Sequence, residues 1–378
     1  MSAENDATPG AESRTLKRGT WRKMKYFLSG LVALVLSLAI IGAIYQYVAS
    51  SRDLRTYSPP GVFVKVNGYK MHIYCTGGID GGGPTVILES GLNDGWLSWY
   101  KVQPAIARFA SVCSYDRTGV GWSDAQPDQP DSQNIALRLH SLLHNAGIKP
   151  PYILVGHSIA GIHVRVYQKM YPNDVAGIVL VDPSHPDEMN RLPSQLRKGR
   201  GQRRLKFELL ELAMPFGIPR FTGRCGEGPA EIRNLLRTAQ CRTRWMETQE
   251  AEFDAFDKSA DEGRATGSFG AMPLVVLSHD PKIGGRPGVL AANVAEQAEV
   301  AWGQMQEELS HLSTSGNRIV AEGSAHYIQF DRPDLVIDAV HRAVEASRNG
   351  AVTNSTAKTS LEHVGTRRMR SIVPGRLP

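Results

Sequence analysis

The residues most suited to chemistry lie where Gly156-His157-Ser158-Ile159-Ala160 joins an apolar run, YILVG, to an amphipathic one, IAGIHVRVYQKMY. A serine on a sharp strand-to-helix turn projects its hydroxyl above a sheet, at the positive end of a helix, if its neighbours are small enough to permit the turn. Gly156 and Ala160 are those neighbours. The usual pattern, G-x-S-x-G, ends here on Ala160 followed by Gly161, and alanine is still small. Ser158 is therefore the candidate nucleophile. Its hydroxyl attacks only when a base takes its proton and an acid partner holds that base in the right tautomer. His140 and His144 stand four apart, as zinc ligands can, but HSLLH lacks the glutamate of the metalloprotease pattern. No metal and no cofactor is expected.

The elements around Ser158 follow from hydrophobic patterning. VFVKV and YKMHIYC alternate and are joined by Asn67-Gly68, a strong hairpin signal. TVILES, SVCSYD, YILVGHS, GIVLVDP, PLVVLSHD and NRIVAEGSAH are further strand candidates, mostly separated by helical stretches near 99–110, 132–146, 159–171, 293–313 and 333–347. Such alternation predicts an α/β fold with a largely parallel sheet and helices on both faces. Residues 184–268 have helical periodicity without a strand and read as an inserted lid. The glycines of GGIDGGGP lack the Lys-Ser/Thr of a phosphate-binding loop and read as a turn.

With GHSIAG at the turn and YDRTGVGWSD at 115–124, which looks like a D-R-x-G-x-G-x-S segment, residues 62–348 resemble the α/β-hydrolase family. The resemblance implies a mostly parallel eight-stranded sheet and a triad in the chain order serine, acid, histidine. His326, after the last strand candidate, then takes the role of base. Two aspartates end strand candidates, Asp182 in VLVDPSHP and Asp280 in VVLSHDP. Asp280, after the lid, holds the commoner family position and is the expected acid. Asp182 is expected to begin the lid hinge. His163 and His185 precede that acid and His279 adjoins it, so none fits the order.

Developing charge on a substrate oxygen needs fixed donors, and backbone amides suit that role. The amides of Ile159 and Leu92 are the expected pair, the latter in a loop where the family has His-Gly and this chain has Ser90-Gly91. Asp116 and Arg117 are expected to brace their loop. Trp96, Trp99 and Trp122 either line an acyl pocket or pack under loops. The resemblance thus implies a serine hydrolase acting on a small-molecule carboxylic ester, or a thioester or amide, through an acyl-enzyme. Epoxide hydrolases and haloalkane dehalogenases of the family use aspartate at the turn. An acyltransferase, a carbon–carbon hydrolase and a non-catalytic ligand-binding protein are the alternatives on this fold.

Both ends of the chain differ from its body. Residues 1–26 carry six Lys/Arg against three acids and residues 349–378 carry five against one, so the body is close to neutral despite the overall charge of +6. No nucleic-acid partner is expected. FLSGLVALVLSLAIIGAIYQYVA, residues 27–49, is long enough to cross a hydrocarbon core of about 30 Å as one helix. It exceeds the apolar region of an ordinary signal peptide, although Val48-Ala49-Ser50 is a tolerable cleavage site. Lys17, Arg18, Arg22, Lys23 and Lys25 precede it, which places the N-terminus in the cytoplasm and the catalytic body outside. The expected organisation is a basic tail (1–26), a transmembrane helix (27–49), a linker (50–61), a hydrolase core in two parts (62–183 and 269–348) around a lid (184–268), and a disordered tail (349–378). Cys225 and Cys241 either form a bridge, permitted outside the cytosol, or stay as buried thiols. Cys75 and Cys113 fall inside strand candidates, where buried thiols are common. The lid's basic run from Arg191 to Lys206 reads as a solvated face or a contact with anionic lipid.

Overall fold

Pro59-Pro60 stops one helix, and the chain then enters a sheet of eight strands. The computed structural model describes residues 10–78, 83–196, 208–284 and 291–349, with only the backbone of 10–20 and of 284. The strands are β1 (Val62–Val66), β2 (Tyr69–Thr76), β3 (Thr85–Glu89), β4 (Val112–Tyr115), β5 (Tyr152–His157), β6 (Val175–Val181), β7 (Leu274–His279) and β8 (Gly316–Ala321). They lie in the order β1-β2-β4-β3-β5-β6-β7-β8. β2 is antiparallel to β1 and to β4, and every other pair is parallel. Asn67 and Gly68 both adopt positive φ, 52° and 88°, and turn β1 into β2 as the hairpin signal predicts.

Strand alternation sorts the core into two layers. Ile87, Leu154, Ile178, Leu180 and Val276 face the helices α2 (Ser132–Asn145) and α3 (Ala160–Met170), where Leu139, Leu142, Ile162 and Val166 meet them. Val86, Leu88, Ile153, Val155, Val179, Val181, Val275 and Leu277 point the other way, onto Trp99, Ile106 and a helix at 333–349. β5 is buried along its whole length because both of its faces are covered. The lid has no strand among its described residues. It is built of short helices that include α4 (Arg233–Gln240), α5 (Thr243–Asp254) and α6 (Phe256–Arg264). The basic stretch from Arg197 to Lys206, the expected tail beyond Asn349, and residues 79–82 of the glycine-rich turn lie outside the described residues.

Two expectations are corrected. The helix α1 runs from Gly10 to Thr56, so it takes in part of the expected tail and of the expected linker. No proline falls between Pro9 and Pro59, and extending a helix costs far less than starting one. Within α1, Trp21–Thr56 is the one helix among the described residues long and apolar enough to cross a membrane. Cys75 and Cys113 are not separate thiols: they stand directly opposite on the antiparallel pair β2–β4, with Cα atoms 4.0 Å apart, and form a disulfide. Cys225 and Cys241 form a second one inside the lid.

α1 is also docked on the lid. Gln46 Nε2 donates to the Cys241 carbonyl (2.8 Å), and Arg220 donates to Gln46 Oε1 (3.1 Å), Ser50 Oγ (3.1 Å) and the Cys241 carbonyl (3.2 Å). Arg220 is also ion-paired with Asp53. Leu54 packs beside Leu235 and Leu236 of α4 against the cluster of Trp96 and Trp122.

Candidate active site

β5 delivers Ser158 one residue beyond its end, at φ 56°, a left-handed conformation costly for a side-chain-bearing residue. Its amide donates to the Val181 carbonyl (3.1 Å), and its carbonyl accepts from Gly161 (2.9 Å) and Ser184 (2.8 Å). A Cβ at Gly156 would come within 2.6 Å of the Ala160 carbonyl oxygen, so glycine is needed two residues before the serine. The tight contact after it falls at Gly161, where a Cβ would meet Pro183 at 2.4 Å, and Ala160 is buried.

His326 Nε2 lies 3.0 Å from Ser158 Oγ, and its Nδ1 lies 2.6 Å from Asp182 Oδ2. The imidazole is 42% exposed, whereas the Asp182 side chain is fully buried. Asp182 has φ 43°, and its amide donates to the Leu277 carbonyl (2.7 Å). Its carboxylate also accepts from the His279 amide (3.1 Å), His279 Nδ1 (2.8 Å to Oδ2) and Trp302 Nε1 (3.0 Å). Burial alone would raise the Asp182 pKa, but the hydrogen bonds from His279 and His326 outweigh it and hold the carboxyl well below its ordinary range. Burial likewise opposes charge on His279, yet Asp182 on one ring nitrogen and Glu299 on the other (2.8 Å) push it up to about 10. His279 is therefore an imidazolium at neutral pH, clamped between two carboxylates.

Asp280, the expected acid, is not at His326. Its Oδ1 accepts from the Lys282 amide (2.9 Å) and its Oδ2 from the Gly323 amide (3.0 Å), and these backbone donors hold its pKa below the ordinary carboxylate value. It fastens the end of β7 to the loop after β8. The physical reason for the correction is strand order. β6 lies next to β5, which carries Ser158, whereas β7 is one strand further away. Asp182, not Asp280, thus joins Ser158 and His326. His279, set aside as a base by chain order, instead holds the acid, and nothing in the sequence singles out Trp302 or Glu299 as its companions. The only trace of this arrangement is a histidine preceding Asp280 at a strand end.

The loop after β3 is held against the nucleophile. Arg117 donates to Glu89 (2.7 Å), to the Ser90 and Gly91 carbonyls (2.6 and 2.7 Å) and to Glu252 of α5 (2.7 Å), and Glu252 accepts the Asn93 amide (2.6 Å). A Cβ at Gly91 would come 2.8 Å from His157 Nδ1 and 3.3 Å from Ser158 Cβ, so the chain passes directly beside Ser158 just before Leu92. Asp116 accepts from the amides of Trp96 (3.0 Å) and Trp122 (3.1 Å) and is paired with His72. Asp116 and Arg117 are braces. Burial lowers the His157 pKa to about 3, and His157 Nε2 reaches the His326 carbonyl at 3.1 Å, so a neutral imidazole underlies the His326 loop. Asp94, part-buried in the loop after β3, is raised to about 6 by its burial. Of the tryptophans, Trp99 is in the core and Trp96 and Trp122 pack under the lid with Ile232 and Ala239. His140 stacks on Tyr171 with ring centroids 3.9 Å apart.

Strand order, elbow and crossing connections define an α/β-hydrolase fold, and the comparisons agree. A family model described as alpha/beta hydrolase fold matches residues 84–216. The uncharacterized protein YbdG of Bacillus subtilis is 28% identical over 221 residues, covering 58% of this chain and 65% of that protein, just under two thirds of its length. A putative ancestral haloalkane dehalogenase superposes with TM-score 0.57 at 16% identity, over 76% of this chain and 99% of the other. A thermophilic esterase from Thermogutta terrifontis superposes with TM-score 0.53 at 17% identity, again over 76% and 99%. The chain has the α/β-hydrolase fold.

Proposed function

We propose that this protein is a membrane-anchored serine hydrolase that cleaves a carboxylic ester through an acyl-enzyme on Ser158. The observation carrying the proposal is the continuous contact from Ser158 Oγ to His326 Nε2 (3.0 Å) and from His326 Nδ1 to Asp182 Oδ2 (2.6 Å), at a nucleophile held in a left-handed turn. Ser158 Oγ attacks the ester carbonyl while His326 Nε2 takes its proton. Asp182 fixes the ring orientation and stabilises the imidazolium that forms. The amides of Ile159 and Leu92 hold the negative oxygen of the tetrahedral intermediate. Collapse breaks the bond to the alcohol, which leaves with the proton from His326. Water, deprotonated by the same imidazole, then attacks the acyl-enzyme and releases the carboxylic acid, restoring Ser158.

A serine at the elbow supports acyl transfer rather than the alkyl transfer of a dehalogenase, and the esterase from Thermogutta terrifontis shares the fold. Residues 27–49 would cross the membrane once, with the N-terminus in the cytoplasm. The basic residues from Lys17 to Lys25 support that orientation, and two disulfides in the body suit an oxidising compartment. The test is labelling of the full chain in detergent micelles by a fluorophosphonate, with Ser158→Ala alongside. Labelling confined to the unmodified chain is expected. Equal labelling of Ser158→Ala, or no labelling of a folded preparation, would overturn the proposal.

A further inference from the structure

The lid carries an apolar face that the hydrolase body leaves uncovered. Leu209, Leu212 and Pro215, before the left-handed turn at Gly217, and Ile218 and Phe221, after it, are all exposed, Phe221 by 82%. So much exposed apolar surface on one segment of a water-soluble body marks a contact site.

What covers it follows from where this segment is docked. Its other side rests on α1, not at the end of the apolar span but within it. A Cβ at Gly42 would come 2.5 Å from the Phe216 carbonyl oxygen, and one at Gly217 would meet Tyr45 at 2.8 Å. Gly42 lies seven residues inside Ala49, about 10 Å along the helix axis at the α-helical rise. Around this contact the free faces of α1, at Ile40, Ile41, Ile44 and Tyr47, are all more than half exposed, as lipid-facing residues of a membrane helix would be. Polar groups rise from the same junction away from the span. The groove between α1 and the lid, about 660 Å³, passes from Ile41, Ile44 and Val48 to Arg52, Arg237 and the buried ion pair of Arg220 with Asp53. Apolar below and cationic above is the order of acyl chains and headgroups at a bilayer surface.

From this docking we infer that residues 208–221 are a second membrane contact, with Ile218 and Phe221 immersed among the upper acyl chains of the outer leaflet. The inference rests on residues 27–49 spanning the bilayer and not on the hydrolytic activity. Membrane immersion holds the lid, and through Glu252 of α5 the loop beside Ser158, at a fixed height over the lipid surface.

The test uses the full chain reconstituted in phosphatidylcholine vesicles, with Phe221→Trp and, separately, Ile218→Trp as probes and Leu137→Trp, on the exposed face of α2, as the reference. The emission of the unmodified chain is subtracted, and quenching by lipids brominated near the headgroup end or near the tail end of the acyl chain is compared. Both probe chains are expected to lose emission in brominated vesicles, more with the shallow bromines, while the reference loses none. Quenching at both probes no greater than at the reference would overturn the inference. Resistance of the unmodified chain to alkaline extraction reads the anchor separately. An extractable chain would remove the premise, whereas a retained chain with unquenched probes would defeat the lid contact alone.

Discussion

Asp182 and Asp280 end neighbouring parallel strands, and their surroundings differ in the donors that reach each carboxylate. Asp182 is fully buried, sits at φ 43°, and gathers donors from His326, His279 and Trp302. Asp280 accepts two backbone amides and ties a loop. Chain order places both after the nucleophile and before the histidine, so it does not choose between them. Distance across the sheet does, because the strand beside β5 brings its terminal residue closest to Ser158. A carboxylate surrounded by side-chain donors stays ionised and can stabilise an imidazolium. One saturated by backbone amides does structural work.

The largest expected effect lies on the Asp182 side. His326→Ala should lower ester turnover by about 10⁵-fold or more, since removing one member of a unit costs nearly as much as removing the whole. Burst and steady-state hydrolysis of a chromogenic ester check it, and more than a few per cent of the original rate would break the assignment. The junction between α1 and the lid comes next. Asp53→Ala leaves the buried Arg220 guanidinium without the Asp53 carboxylate and should cost about 3 kcal/mol, the low end for a broken buried pair because Gln46, Ser50 and Cys241 still accept from it. Thermal unfolding of the full chain in detergent reads this, and an unchanged midpoint would show that the lid is not fastened there.

A pH-dependent effect is expected for His279→Gln. The folded-state pKa of His279, about 10, lies above its ordinary 6.5, so its stabilisation is complete below pH 6.5 and is lost as the pH rises through 10. The variant should unfold at a lower temperature than the unmodified chain near pH 6, and the gap should close towards pH 10. A constant gap would mean that His279 contributes packing and not charge.

Much of this molecule is legible in its amino-acid sequence. Each of the eight strand candidates became a strand, because buried parallel strands leave continuous apolar runs such as TVILE and YILVGH. GHSIAG placed Ser158 at the turn for a local reason: Gly156 and Gly161 meet their neighbours within a few residues or across one strand. What stayed hidden depends on partners far apart in the chain. His279 clamps Asp182 from 97 residues away, and Arg220 meets Asp53 across 167. No periodicity records such pairs. The pairing of Cys75 with Cys113 was hidden for the same reason, since it follows from β2 lying against β4 rather than β3.

The most direct test of the central claim compares Asp182→Asn with Asp280→Asn in turnover of one ester, at matched folded fraction. Asparagine keeps the shape of the side chain but cannot stabilise the imidazolium or fix its tautomer, so Asp182→Asn should lower turnover by up to about 10⁴-fold. Asp280→Asn should leave turnover within a few-fold of the unmodified chain and soften only the loop after β8. A large loss for Asp280→Asn with Asp182→Asn nearly unaffected would contradict the account and return the acid to the end of β7.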